Sequence, residues 1–290
     1  MVGDKTTSLK RTFAKRFASF LSVKSAVRNG LLGVVDTARK ERLEGFVFGG
    51  AVRDVIFSGP KSFPRDVDIV FTDQSFARFS DRFHDQVIHR NRFGGLYLRV
   101  GWVDFDVWPL GNTWAFKNVP GFIPSFESLP QTTFLSIDAI VVELWAKPGS
   151  KRRIYEQGFF KSLETKTIDL NLEENPFPAL CILRSLVMSQ RLQFRLTERL
   201  ADYIVRNFHK VGMEGLIEAN QKHYERPVIS FDLLGQLFSG SMKSAAAFNS
   251  QWLRINDGLK HQGTFDSMWT EAIKERHSSE EQLSLSGLLG

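Results

Sequence analysis

FGGAVRDVIFSGPKSFPRDVDIVF, residues 48–71, decides how the rest of the chain is read. A strand-like run ends in two glycines, Gly49 and Gly50, and AVRDVIF follows with the pattern of a short helix. DVDIV then reads as a second strand. Alternation along that strand sends Asp66 and Asp68 to one face, while Val67 and Ile69 enter a core. Two carboxylates held side by side repel unless a cation lies between them. Mg²⁺ suits such a pair, because it takes one or two carboxylates and completes its shell with waters and phosphate oxygens. Two ions of this kind serve an in-line phosphoryl displacement.

A two-ion site calls for a third carboxylate. VGWVDFDVW supplies Asp104 and Asp106, again alternating onto one face. The glycines let a triphosphate approach backbone N–H groups at the start of a helix. No GxxxxGK[ST] loop occurs, which sets ordinary Walker-type chemistry aside, and no GxSxG elbow supports a serine hydrolase. His84 and His89 read as surface or core histidines, and the six histidines and one cysteine show no zinc spacing.

Around this centre the 290 residues divide by pattern. GFVFGG, VDIVF, LYLRVGWVDFDVW and SIDAIVVELW read as strands, giving a mixed half that ends at the KPGS of 147–150. PALCILRSLVMSQRL, TERLADYIVRNFHK, ISFDLLGQLF and SQWLRINDGL then carry helical periods. The expected organisation is a basic N-terminal helix over 1–30, a mixed α/β head over 31–150, a helical domain over 151–276 and a frayed tail over 277–290. The expected fold class is α+β, a mixed sheet flanked by helices and followed by a mainly helical domain.

Composition, 42 % apolar and 24 % charged, is that of a folded globular chain, and no stretch approaches the ~20 apolar residues of a membrane span. No membrane partner is expected. The net charge of +6 is compatible with a phosphate-bearing partner. Lys5, Lys10, Arg11, Lys15, Arg16, Lys24 and Arg28 have no acid among them and alternate with Phe13, Phe17, Phe20 and Leu21 at helical spacing. Three readings fit this segment: a solvated face of a packed helix, an RNA-phosphate surface, or an organelle transit peptide. The expected compartment is cytoplasmic, with an organellar one as the alternative. Cys181, alone in an apolar run, reads as a buried thiol.

GGAVRDVIFSG followed by RDVDIV resembles the GGxVRDxxLG…DxD signature of the class II tRNA nucleotidyltransferase and bacterial poly(A) polymerase family, within the DNA polymerase β-like superfamily. The likeness extends more loosely to about residue 210, through SIDAIVVEL, IYEQGFFKSLETKTI and ILRSLVMSQRLQF. It implies transfer of a nucleoside monophosphate from an NTP to an RNA 3′ end, tRNA in particular, with two Mg²⁺ ions. By the resemblance Asp66 and Asp68 are metal ligands, and Asp104 takes the third-carboxylate place with Asp106 as the alternative. Gly49 and Gly50 hold the triphosphate, Arg53 contacts phosphate or forms an ion pair, and Arg184 stands at the second arginine of the neck helix.

Several positions depart from the family pattern. Thr132, Thr133 and Phe134 stand where the family has RRD, Pro178 and Cys181 replace the base-reading pair of EDxxR, and Pro109 replaces an arginine. A site without its base-reading groups loses that discrimination. Two other functions therefore stay open: transfer to a protein or small molecule, and an RNA- or nucleotide-binding module without catalysis.

Overall fold

The computed structural model describes residues 2–22, 28–57, 66–223, 229–238 and 244–262; the expected tail over 277–290 lies outside them. Packing divides the chain into two units, Met1–Phe177 and Pro178–Gly290.

In the first unit, helices α1 (Val2–Phe20) and α2 (Asn29–Lys40) precede β1 (Gly45–Phe48), α3 (Gly50–Phe57), β2 (Asp66–Phe71) and α4 (Asp73–Arg82). There follow β3 (Val87–Arg90), β4 (Leu96–Val100), β5 (Val103–Pro109), α5 (Trp114–Asn118), β6 (Ile140–Glu143), β7 (Ile154–Glu156), α6 (Phe159–Thr165) and β8 (Thr167–Ile168). Seven strands form one sheet in the order β3-β4-β5-β2-β1-β6-β7. It is mixed: β2 runs parallel to β5, and the other pairs are antiparallel.

The two faces of the sheet differ in chemistry. Val67, Ile69 and Phe71 of β2 and Val103, Phe105 and Val107 of β5 are buried, on the side where α3 and α4 pack. Gly30 brings α2 against the turn after β4, since a Cβ there would stand 1.8 Å from the Val100 carbonyl oxygen. On the other face, Phe46, Val70, Phe126, Leu129 and Val141 form a compact cluster bordered by Trp108. That cluster covers the Val70 end of β2. The opposite end of β2 carries the aspartates.

The basic N-terminal segment is helical, and its rings are interior. Phe13, Phe17 and Phe20 are at most 1 % exposed, and α1 packs on α3 and α6. Lys10, Arg11, Lys15 and Arg16 occupy the exposed side. Arg28 leaves that basic series: it is buried, its Nη1 donates to the Phe20 carbonyl at 3.1 Å, and burial pushes its pKa down.

The boundary expected at 150 falls instead at Phe177/Pro178. KPGS is a turn inside the first unit, because β7 returns to pair with β6 and α6 packs beneath α1.

The second unit contains α7 (Pro178–Leu192), β9 (Arg195–Leu196), α8 (Glu198–His223), α9 (Phe231–Phe238) and α10 (Ala245–Gln262). Each of the four helical periods read from the sequence is occupied by a helix, and α8 breaks at Gly212, where φ is +69°. Trp252 of α10 is 1 % exposed, and its indole N–H donates to Ser189 Oγ of α7 at 2.8 Å. Cys181 is buried there, and burial pushes its thiol up to about 12, so it is inert at neutral pH. No helix among the described residues is long and apolar enough to cross a membrane.

Candidate functional site

β2 and β5 pair in parallel with Asp66 opposite Asp104 and Asp68 opposite Asp106. Register partners share a sheet face, so all four carboxylates emerge on the half that the Val70 cluster leaves uncovered. Phe48, the last residue of β1, is the partner of Asp68, and the chain then turns through Gly49 at φ +62°. That is the left-handed region glycine enters without strain. A Cβ at Gly49 would stand 3.9 Å from Asp68 Oδ2, which measures how near the turn lies to the carboxylate. α3 starts at Gly50. The glycine pair and the aspartate pair of the sequence signature therefore meet.

The two candidates for third carboxylate have different surroundings. Asp104 is 7 % exposed, and both its oxygens accept from Arg99: Nε at 2.6 Å to Oδ1 and Nη2 at 3.0 Å to Oδ2. That bidentate geometry is a strong, charge-assisted pairing. Among the described residues no arginine or lysine is paired with Asp106, and its Oδ1 is buried with no hydrogen-bond partner. Burial pushes the Asp106 carboxyl above its usual pKa, the charge of Asp66 pushes it further, and His89 pulls the other way.

A buried carboxylate oxygen left without a partner beside a second carboxylate fits a cation site. As the side chains stand, no group of three or more His, Cys, Asp or Glu among the described residues is close enough to hold a metal. Strand register, rather than a preformed cage, is what brings the carboxylates together.

This environment has a measurable consequence. With its pKa raised on folding, Asp106 binds its proton more tightly in the folded chain, so its contribution turns against the fold as pH rises from the unfolded value of 3.8. Asp106→Asn, always neutral, is expected to raise the Tm at pH 7 without divalent cations. The gain should vanish near pH 4. Thermal scans at both pH values check the sign, and a gain that persists in acid would mean altered packing instead.

Arg53 lies beneath the glycine turn at 4 % exposure. Its Nε donates to Asp54 Oδ1 at 2.9 Å and its Nη1 donates to Asp138 of the segment before β6. Burial alone would lower its pKa; the charges of Asp138 and Asp54 more than reverse this. Of the two roles read for Arg53, the ion pair is the one the geometry supplies. Arg184 is exposed on α7 of the second unit.

Two residues near the carboxylates escaped the motif reading. Tyr97 of β4 is the register partner of Asp106, and His89 of β3 is the partner of Tyr97. Their rings stack at 5.1 Å between centroids with 23° between planes. Alternation in LYLRV could have placed Tyr97 and Arg99 on the aspartate face, whereas His89 could not have been assigned without knowing that β3 pairs with β4.

No protein-family model matches the chain, and no curated protein matches it in sequence. Its fold, however, is found in solved tRNA nucleotidyltransferases. A Thermotoga maritima CCA-adding enzyme complexed with tRNA is similar with a TM-score of 0.56 at 18 % identity, over 77 % of this chain and 55 % of that one. A tRNA nucleotidyltransferase complexed with a primer tRNA and an incoming ATP analog gives 0.52 at 18 %, over 73 % of this chain and 62 % of that one. A CCA-adding enzyme with ATP gives 0.52 at 19 %, over 75 % of this chain and 53 % of that one. The chain thus spans little more than half the length of these structures. The α+β class and the head-then-helices architecture expected from the sequence are those observed.

Proposed function

We propose that this chain is a divergent member of the class II tRNA nucleotidyltransferase and poly(A) polymerase family, and that it transfers a nucleoside monophosphate from an NTP to a hydroxyl at an RNA 3′ end, the acceptor being tRNA or tRNA-like. The observation that carries this reading is the parallel register of β2 and β5, which gathers four carboxylates on one sheet face beside the Gly49 turn. The likeness of fold to enzymes complexed with tRNA and with ATP supports it.

Asp66, Asp68 and Asp106 are the residues that would hold Mg²⁺, because Asp104 is engaged by Arg99 while Asp106 has an unpartnered buried oxygen. Two such ions, when bound, neutralise charge developing on the phosphates and lower the pKa of an attacking hydroxyl. The chain's own contribution is alignment. Backbone N–H groups after Gly49 and Gly50 receive the triphosphate. The acceptor oxygen bonds to the α-phosphorus, the bond from that phosphorus to the bridging oxygen breaks, and pyrophosphate leaves with that oxygen. The hydroxyl proton passes to solvent, and no side chain becomes covalently modified.

Pro178 and Cys181 offer a base edge no charged or amide group, so the base is not selected from those positions. The test is incubation with each labelled NTP, Mg²⁺ and total RNA, wild type beside Asp66→Ala. Label is expected in RNA with the wild type alone. Label in protein, or transfer by Asp66→Ala at the wild-type rate, would overturn the reading.

A further inference from the structure

We infer that a single-stranded RNA 3′ end is received over β4 and β3, its terminal base stacked on the Tyr97–His89 pair and a backbone phosphate at Arg99. The inference rests on the transfer reading above and adds where the acceptor lies and how it is held. In-line displacement requires the attacking oxygen to arrive on the side of the α-phosphorus opposite the departing pyrophosphate. The glycine turn that receives the triphosphate follows β1, on one side of β2. The acceptor must therefore come over the other side, where β5, β4 and β3 follow in order.

That side carries the groups a single strand uses. Tyr97 stands next to Asp106 across the β4–β5 pair, and the parallel stack with His89 extends from it to the sheet edge, where His89 is exposed. Two residues along the same face of β4 is Arg99, its side chain 48 % exposed and its guanidinium fixed by two bonds to Asp104. Beyond the stack Arg92 lies over the ring of Phe93 at 4.8 Å. Four carboxylates alone would repel a polyanion. A cation anchored by one of them, beside an aromatic platform, offsets that repulsion at the point where an RNA end would enter. Bases stack on aromatic rings whatever their identity, which matches a site lacking base-edge readers. Asp104 thereby becomes a positioning residue that acts through Arg99.

The test measures binding of a short fluorescent single-stranded RNA with a free 3′ hydroxyl to the full chain, by anisotropy at low salt without NTP. Tyr97→Leu and His89→Ala are each expected to weaken binding roughly tenfold. Tyr97→Phe, which keeps the ring, should bind as wild type. Arg99→Leu should make the dependence on salt shallower by about one phosphate contact. Binding of a fluorescent ATP analogue with Mg²⁺ should be unchanged in all four. Since the His89 ring is exposed, His89→Ala reports on the platform even if Tyr97→Leu fails to fold.

Unchanged RNA affinity in both His89→Ala and Tyr97→Leu would overturn the proposal, as would an equal loss in Tyr97→Phe. So would labelled nucleotide appearing on protein while every variant binds RNA alike. Asp68→Asn separates the two readings: lost transfer with RNA binding retained supports both, whereas retained transfer refutes the catalytic reading without touching the platform.

Discussion

Asp68→Asn is expected to lower nucleotide transfer by about a thousandfold or more while the chain stays folded. The substitution keeps the shape of the side chain and removes the charge that would hold a cation against the substrate phosphates. Its neighbours Val67 and Ile69 fill the core on the opposite face, so the strand itself is undisturbed. Initial rates of labelled monophosphate incorporation measure the loss. A second readout is independent of activity: Mg²⁺ should raise the Tm of the wild type and leave that of Asp68→Asn where it was. Asp106→Asn should behave like Asp68→Asn in both assays. Asp104→Asn should retain the Mg²⁺ response, because its carboxylate serves Arg99. If Asp104→Asn abolishes the response and Asp106→Asn does not, the two roles are exchanged.

The contrast between Asp104 and Asp106 shows where the sequence stops informing. Alternation along DVDIV and VDFDV placed each pair of carboxylates on one face, because the side-chain period of a strand is fixed. It could not supply the register between two strands separated by a helix and two further strands, nor show that Arg99, five residues from Asp104, would claim that carboxylate. Arg53 poses the same problem over a longer span, since its partner Asp138 lies 85 residues away.

Whole elements went unread for related reasons. In α4, Ser75 and Ser80 are buried beside Phe79, so the helix has a small, partly polar inner face and no long apolar stripe. β3 is an edge strand whose register shifts between Val87 and His89; Ile88 is 56 % exposed and no residue of the strand is buried, so it carries no inward alternation to read. The long amphipathic helices of the second unit had no such ambiguity. Their apolar periods persist over enough turns to exclude a strand.

The other large expected effect lies in α1. Phe13 contacts Phe159 and Phe160, with ring centroids 6.1 and 5.7 Å apart, and also Phe17 at 5.9 Å, which in turn meets Phe20 at 5.9 Å. Arg16 Nη1 donates to the Ile56 carbonyl at 2.6 Å, tying α1 to the end of α3, the helix that begins at the glycine turn of the candidate site. Truncating one such buried ring to alanine costs about 3–5 kcal/mol, against a total stability of about 5–15 kcal/mol for an ordinary domain. Phe17→Ala should therefore lower the Tm by about 10 °C, whereas Lys15→Ala on the exposed side should leave it unchanged. Removing residues 1–22 strips the whole row of rings and should leave the first unit unable to fold, as read by circular dichroism. A dispensable leader would behave in the opposite way, with the truncated chain melting at the temperature of the intact one, so this comparison separates the transit-peptide reading from the other two. The buried rings and the exposed cations are two faces of one helix. Because the rings hold it against α3 and α6, any RNA contact by Lys10, Arg11 and Lys15 would be made from a fixed surface rather than a loose arm.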